Sequence, residues 1–226
     1  ASAYSNLDHH QHAIKVYQET FRLENPEAIT YYYIGECYEK MEDYHQAITY
    51  YQKAIEMDSH LSDAWMGMGI AYDELGSSAI ALKHMVSAVK IDNLNPEYWY
   101  ILGDLQEKMG HHHDAISSYK KVVELDPYNP DIWIDYSALL AQENDLEKAL
   151  SLLEDGLKQQ PENASILYRQ SAYLFKLGLI KQAYIKLESA LAIDYERHIE
   201  LIDFMPQLKQ NKHILEIIDT FSTRKS

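Results

Sequence analysis

The amino-acid sequence predicts an all-α protein assembled from a tandem array of helix pairs, and three observations carry that expectation. Apolar residues recur at i, i+3, i+4 and i+7 along almost the whole chain, whereas the alternation expected of strands is scarce. Only 8 Gly and 6 Pro interrupt 226 residues, of which 46% are hydrophobic, enough to bury a continuous core. Shifted against itself by 34 residues, the chain aligns "YYYIGECY" (31–38), "WMGMGIAY" (65–72), "WYILGDLQ" (99–106), "WIDYSALL" (133–140) and "LYRQSAYL" (167–174). The same shift brings Ala47, Ala81, Ala115, Ala149 and Ala183 into one column and Pro127 and Pro161 into another.

Taken in order, residues 1–27 are expected to form an incomplete N-terminal repeat. Ala13 and Tyr17 take second-helix places, so "DHHQHA" (8–13) corresponds to a turn and Ala1 falls at about position 8 of a first helix lacking its start. On that reading the sequence belongs to a longer protein or lacks leading residues. Five full repeats follow, 28–61, 62–95, 96–129, 130–163 and 164–197. On a helix that turns about 100° per residue, repeat positions 4, 7, 8 and 11 share one face, which packs on the second helix. Gly35, Gly69 and Gly103 at position 8, with Ala at position 20, remove bulk where two backbones approach, and Ser137 and Ser171 keep position 8 small in the last two repeats.

Residues 198–226 form a divergent C-terminal repeat with a capping helix. "HIELIDFMPQLKQ" keeps apolar spacing through Leu201, Phe204 and Leu208, but Met205 stands where Gly is expected. Pro206 then interrupts a helix interior at a cost of about 3 kcal/mol, so this helix should kink or end early. "NKHILEIIDTF" supplies Ile214, Ile217, Ile218 and Phe221 to an amphipathic closing helix, as the end of a stack requires.

An aromatic, then Leu-Gly, then Tyr on a first helix, with Ala on a second and Pro at the exit, resembles the tetratricopeptide repeat over nearly the whole chain. The resemblance implies a right-handed superhelical solenoid of about six antiparallel helix pairs whose first helices line a concave groove. Positions 2, 5, 6, 9, 12 and 13 then look into that groove. Position 5 reads Tyr32, Met66, Tyr100, Ile134 and Tyr168, a row that either grips a peptide or pads neighbouring repeats. Tyr33, Glu36, Asp63, Asp104, Asp135 and Arg169 complete the candidate peptide-binding set.

Charge at the groove positions is uneven. The first four full repeats contribute Glu36, Glu39, Asp63, Asp73, Glu74, Glu97, Asp104, Glu107, Asp131 and Asp135 against Lys40 and Lys108, and the fifth reverses the sign with Arg169 and Lys176. Such a gradient can orient a bound segment. In the family's best-known peptide mode a clamp of Lys, Arg and Asn holds the C-terminal carboxylate of a chaperone tail. The residues here at those positions are Tyr32, Glu36, Gly67, Glu97 and Ile101, none of them basic or Asn, so an acidic chaperone tail is a poor ligand.

Enzyme and cofactor signatures are missing. The histidines 111–113 fall at the turn of the third full repeat, where consecutive side chains diverge, and no HExxH motif accompanies them, so no metal site is expected. His112, like Tyr44 at the same position, should partly pack over the turn while its neighbours face water. "GMG" (67–69) lacks a third glycine and a preceding strand, and neither a P-loop nor a GxSxG elbow occurs. "NAS" (163–165) matches a glycosylation acceptor only formally. Cys37, the single cysteine, sits at position 10 in phase with Ala71, as a buried small residue would.

A formal charge of -15, from 20 Lys plus Arg against 35 Asp plus Glu, argues against nucleic-acid binding. No apolar run suits a membrane span and no signal-peptide pattern opens the chain, which points to the cytoplasm. The expected function is a non-enzymatic scaffold or adaptor that binds a protein or peptide with apolar anchors and basic charge. Docking of an attached domain within a larger protein is the alternative, and self-association into a homo-oligomer through an end of the stack is a third mode.

Overall fold

The structure, a computed structural model, describes residues 2–23 and 26–223. Among the described residues there are thirteen α-helices, one 3-10 helix and no strand. The chain divides into two compact units, Ala1–Lys121 and Val122–Ser226. The first holds α1 (Ser2–Leu23), α2 (Ala28–Lys40), α3 (Tyr44–Met57), α4 (Ser62–Glu74), α5 (Ser78–Ile91), α6 (Pro96–Lys108) and the start of α7 (His112–Leu125). The second holds the rest of α7, α8 (Pro130–Gln142), α9 (Leu146–Gln159), α10 (Ala164–Lys176), α11 (Ile180–Ile193), α12 (His198–Phe204), a 3-10 helix (Pro206–Gln210) and α13 (Lys212–Thr223).

One turn chemistry recurs inside every full repeat. The first helix ends and position 15 adopts positive φ at Glu42, Gly76, Gly110, Asn144 and Gly178. The next backbone N–H then reaches back to the helix, as Asp43 to the Tyr38 carbonyl, His111 to Gln106 and Leu179 to Leu174. This Schellman closure satisfies carbonyls that a helix end otherwise leaves open, and it turns the chain at once into the second helix. Asp43 and Asp145 serve both purposes, since their carboxylates also accept from the N–H of Gln46 and Lys148.

The turns between repeats are tied differently. Asn95, Asn129 and Asn163 cap the following first helices through their side-chain oxygens. Pro96 and Pro130 occupy the first helical position, where no N–H is needed. Trp65, Trp99 and Trp133, all at position 4, donate their indole N–H to the carbonyls of Ser59, Asn93 and Pro127. Each tryptophan thus fastens its own repeat to the turn that precedes it.

The helix pairs close on small residues, as the alignment predicts. The five position-20 alanines are fully buried, and Ser137 and Ser171 are buried at position 8. Ser171 donates to the Ala183 carbonyl at 2.9 Å, so its hydroxyl is satisfied by the helix it touches.

Two ends behave differently from each other. At the C-terminus α12 stops at Phe204, as the proline predicts, Pro206 opens the 3-10 helix, and α13 buries Ile214 and Ile218. At the N-terminus the expected turn over 8–13 does not form, and α1 runs without interruption through it. A left-handed turn residue is stabilised by the two helices folding back to bury faces on each other, and residues 2–7 span fewer than two helical turns. Without that burial the backbone satisfies its hydrogen bonds by continuing the helix.

Candidate functional site

In the N-terminal unit the first-helix face is carried by α2, α4 and α6, and the space between these helices is filled from beneath by position 24 of the second helices. Tyr51 on α3 rises between α2 and α4. A Cβ built on Gly35 would lie 2.7 Å from its ring and one on Gly67 would lie 2.5 Å from it, so both glycines exist to admit this tyrosine. Its hydroxyl donates to Glu39 at 2.6 Å. Tyr119 on α7 repeats the arrangement against Gly103, donating to Asp104 at 2.7 Å and sharing its hydroxyl with Glu107 at 3.0 Å. Burial, reinforced by the neighbouring carboxylates, pushes both phenols far above their usual range, so they remain protonated donors.

The second repeat departs from this pattern. Met85 stands at position 24, and a cleft of about 280 Å³ opens between α4 and α6 above it, walled by Ile70, Ile101 and Leu105. Asp73, Glu74, Asp104 and Lys108 form its rim. Asp73 accepts from Lys108 at 2.8 Å and from Ser78 at 2.7 Å. Burial works to raise its pKa, but these two hydrogen bonds and the ammonium charge together hold the carboxyl below its usual value.

The residues predicted from sequence fall into distinct environments. Tyr32 is half-buried, with its ring 5.8 Å from Tyr51 and 5.4 Å from Tyr33, and burial followed by the charges of Glu36, Asp63 and Glu39 raises its pKa. Tyr33 is 40% exposed and stacks on Tyr17 of α1 at 5.8 Å. Glu36 pairs with Lys40 at 2.8 Å, and the Tyr98 hydroxyl donates to Asp63 and lies 3.2 Å from the Ser62 hydroxyl. Tyr100 is half-buried beside Tyr119, ring to ring at 6.0 Å, and Asp104 is exposed.

Met66 is not a groove residue: it is 3% exposed and packs with Met85, Tyr98 and Leu102 in the core, because position 5 of α4 is covered by α6. Tyr168 is likewise 1% exposed, its hydroxyl donating to the Asp194 carbonyl at 2.8 Å, so this side chain ties α10 to the end of α11. Ile134 and Asp135 are half-buried in the C-terminal unit. Ile134 borders an open cleft of about 720 Å³ reaching Asn163, Asp194 and Arg197. Arg169 does not simply project a charge: its guanidinium lies 4.0 Å from the centroid of Phe204, and Lys176 approaches the same ring at 4.4 Å.

The position-24 residues Tyr51, Met85 and Tyr119 decide how full each inter-helix space is, and the repeat pattern alone does not single them out. The available signal was Gly67 at position 6, a second glycine on α4 that the position-8 column does not account for. His112 is half-buried while His111 and His113 are exposed, as expected, and no group of three metal-ligating side chains occurs among the described residues. Cys37 is buried, and that burial raises its thiol pKa. Asn163 is engaged on both sides of its amide, accepting from the Ile166 N–H and donating to Gln160.

Comparison with known proteins agrees with the geometry. Tetratricopeptide repeat family models match residues 28–61, 66–130 and 107–172. Among solved structures, YrrB, a TPR protein with an unusual peptide-binding site, superposes with a TM-score of 0.64 at 22% identity, covering 79% of this chain and 92% of its own. MamA superposes with a TM-score of 0.64 at 20% identity, covering 73% of this chain and 96% of its own. The first TPR of Spaghetti (RPAP3), bound to the HSP90 peptide SRMEEVD, gives 0.50 at 21% identity over 52% of this chain and 96% of its own. No curated protein sequence matches the chain.

Proposed function

This chain belongs to the tetratricopeptide repeat family, and on that premise we propose that it is a non-enzymatic interaction scaffold whose first-helix face docks a basic, apolar segment of another protein. The observation that carries this reading is the make-up of that face in the N-terminal unit. Tyr33 and Tyr100 present aromatic surface there, while Glu74 and Asp104 stand exposed beside a cleft with apolar walls. Aromatic anchors with complementary charge around them are the usual means of gripping a peptide.

Peptide binding by YrrB and by the RPAP3 repeat supports the mode of action. The chemistry of the ligand differs. SRMEEVD is acidic, whereas Tyr32, Glu36, Gly67, Glu97 and Ile101 stand where the family's carboxylate clamp would be.

Affinity capture tests the proposal, with the parent compared against Tyr100→Ala, Glu74→Lys and, on the second-helix face, Ile80→Glu. The expected result is a basic partner retained by the parent and by Ile80→Glu and depleted by the other two, with a loss of roughly 1–3 kcal/mol for a hot-spot residue. Retention by both first-helix variants and loss with Ile80→Glu would place binding on the opposite face and end this reading.

A further inference from the structure

We propose that the slot between α4 and α6 is the anchor site of the docking face, and that it takes one large apolar side chain from a partner segment carrying lysine or arginine on either side of that residue. The inference rests on the docking face described above and assigns its ligand chemistry.

The repeat itself shows what is missing. Position 24 is Tyr51 in the first full repeat and Tyr119 in the third, and each ring fills the space beside its first helix while its hydroxyl satisfies a position-12 carboxylate, Glu39 or Glu107. In the second repeat both features are gone. Met85 has no hydroxyl, and the position-12 carboxylate, Asp73, is satisfied instead by Lys108 and Ser78. Ile101 at position 6 occupies part of the room that Tyr51 takes over Gly67, and about 280 Å³ stays open. That volume accommodates a leucine, methionine or phenylalanine side chain. The floor is an unbranched thioether, the side chain best able to re-pack around whichever of these enters.

Charge selects the flanking residues. Glu74 on α4 and Asp104 on α6 are exposed on opposite walls of the slot, and Asp104 is oriented by the Tyr119 hydroxyl. Asp73 and Lys108 compensate each other at 2.8 Å. The rim therefore carries three carboxylates against one ammonium, and a residue on either side of the anchor meets negative charge. An acidic or phosphorylated segment is repelled from both walls.

Titration of the full chain, labelled at its backbone amides and at its methionine methyl groups, with the capped peptide GSGKLKGSG tests this by NMR. The Met85 methyl should shift saturably at millimolar peptide, with the affinity falling as salt rises. Replacing the leucine by serine should abolish the shift, and replacing both lysines by glutamate should weaken binding at least tenfold. Glu74→Lys, an exposed change that leaves the fold alone, should weaken it at least fivefold. Met85→Tyr, which restores the filler of the flanking repeats, should block it. Saturable shifts of residues elsewhere on α2, α4 or α6 with Met85 unmoved overturn the slot and leave the docking face standing. Shifts confined to second-helix residues other than Met85 overturn both, and the lack of any saturable shift, or equal affinity for the serine peptide, overturns the slot.

Discussion

Replacing Gly67 by alanine should destabilise the N-terminal unit by about 2 kcal/mol, although helix propensity by itself favours alanine over glycine by about 1 kcal/mol. The opposing term is steric. A Cβ at this position lies 2.5 Å from Cζ and 2.7 Å from Cε2 of Tyr51, roughly 1 Å inside the about 3.5–4.0 Å at which carbon atoms rest. The ring has little room to retreat. It is 1% exposed, its other edge abuts Gly35, and its hydroxyl is held by Glu39 at 2.6 Å. Overpacking of a core that cannot yield lies at the upper end of about 1–3 kcal/mol, and subtracting the propensity gain leaves about 2 kcal/mol. Swinging the ring outward instead gives up a hydrogen bond to a charged acceptor, about 1.5–3 kcal/mol, so that escape is no less costly. Urea unfolding of the parent, Gly67→Ala, Tyr51→Leu and the double variant forms a cycle that isolates the contact. With the ring removed, Gly67→Ala should stabilise by about 1 kcal/mol, giving a coupling of about 3 kcal/mol. A Gly67→Ala variant more stable than the parent, or one with the same cost in both backgrounds, would refute the reasoning.

Two further outcomes test other parts of the structure. His84 stacks 5.3 Å from Tyr72 and 5.6 Å from Trp65 with its Nδ1 buried and lacking a hydrogen-bond partner, and burial, aided by Lys83, holds its pKa below the usual histidine value. The unfolded chain then binds a proton that the folded chain resists, so stability should fall as pH drops below about 6.5, and thermal melts of His84→Leu should lose that part of the slope. A slope unchanged by the substitution removes His84 as its source. Replacing His111, His112 and His113 together by Ser, Asn and Ser should change stability by less than about 0.5 kcal/mol, because the turn is held by the positive φ of Gly110 and by backbone hydrogen bonds. Calorimetry with zinc checks the same segment: tight stoichiometric binding by the parent that the triple variant lacks would contradict this account.

The 34-residue period, the buried columns at positions 8 and 20 and the early end of α12 were all legible in the amino-acid sequence. They were legible because each depends on contacts within one helix pair, whose spacing is set by the 3.6-residue period and recurs every 34 residues. Tertiary structure decided the rest. Position 5 carries a large side chain in every repeat, yet Tyr100 stays half-exposed while Met66 and Tyr168 are buried, since exposure there is set by what the next helices place over it. Arg169 reads as a groove cation until Phe204, thirty-five residues later, is found beneath it. Whether an inter-helix space is full or open depends on a pair of residues from different repeats, Tyr51 with Gly67 or Met85 with Ile101, whose volumes must be summed in three dimensions. Periodicity states which way a side chain points, but the space available to it is a property of its non-local neighbours.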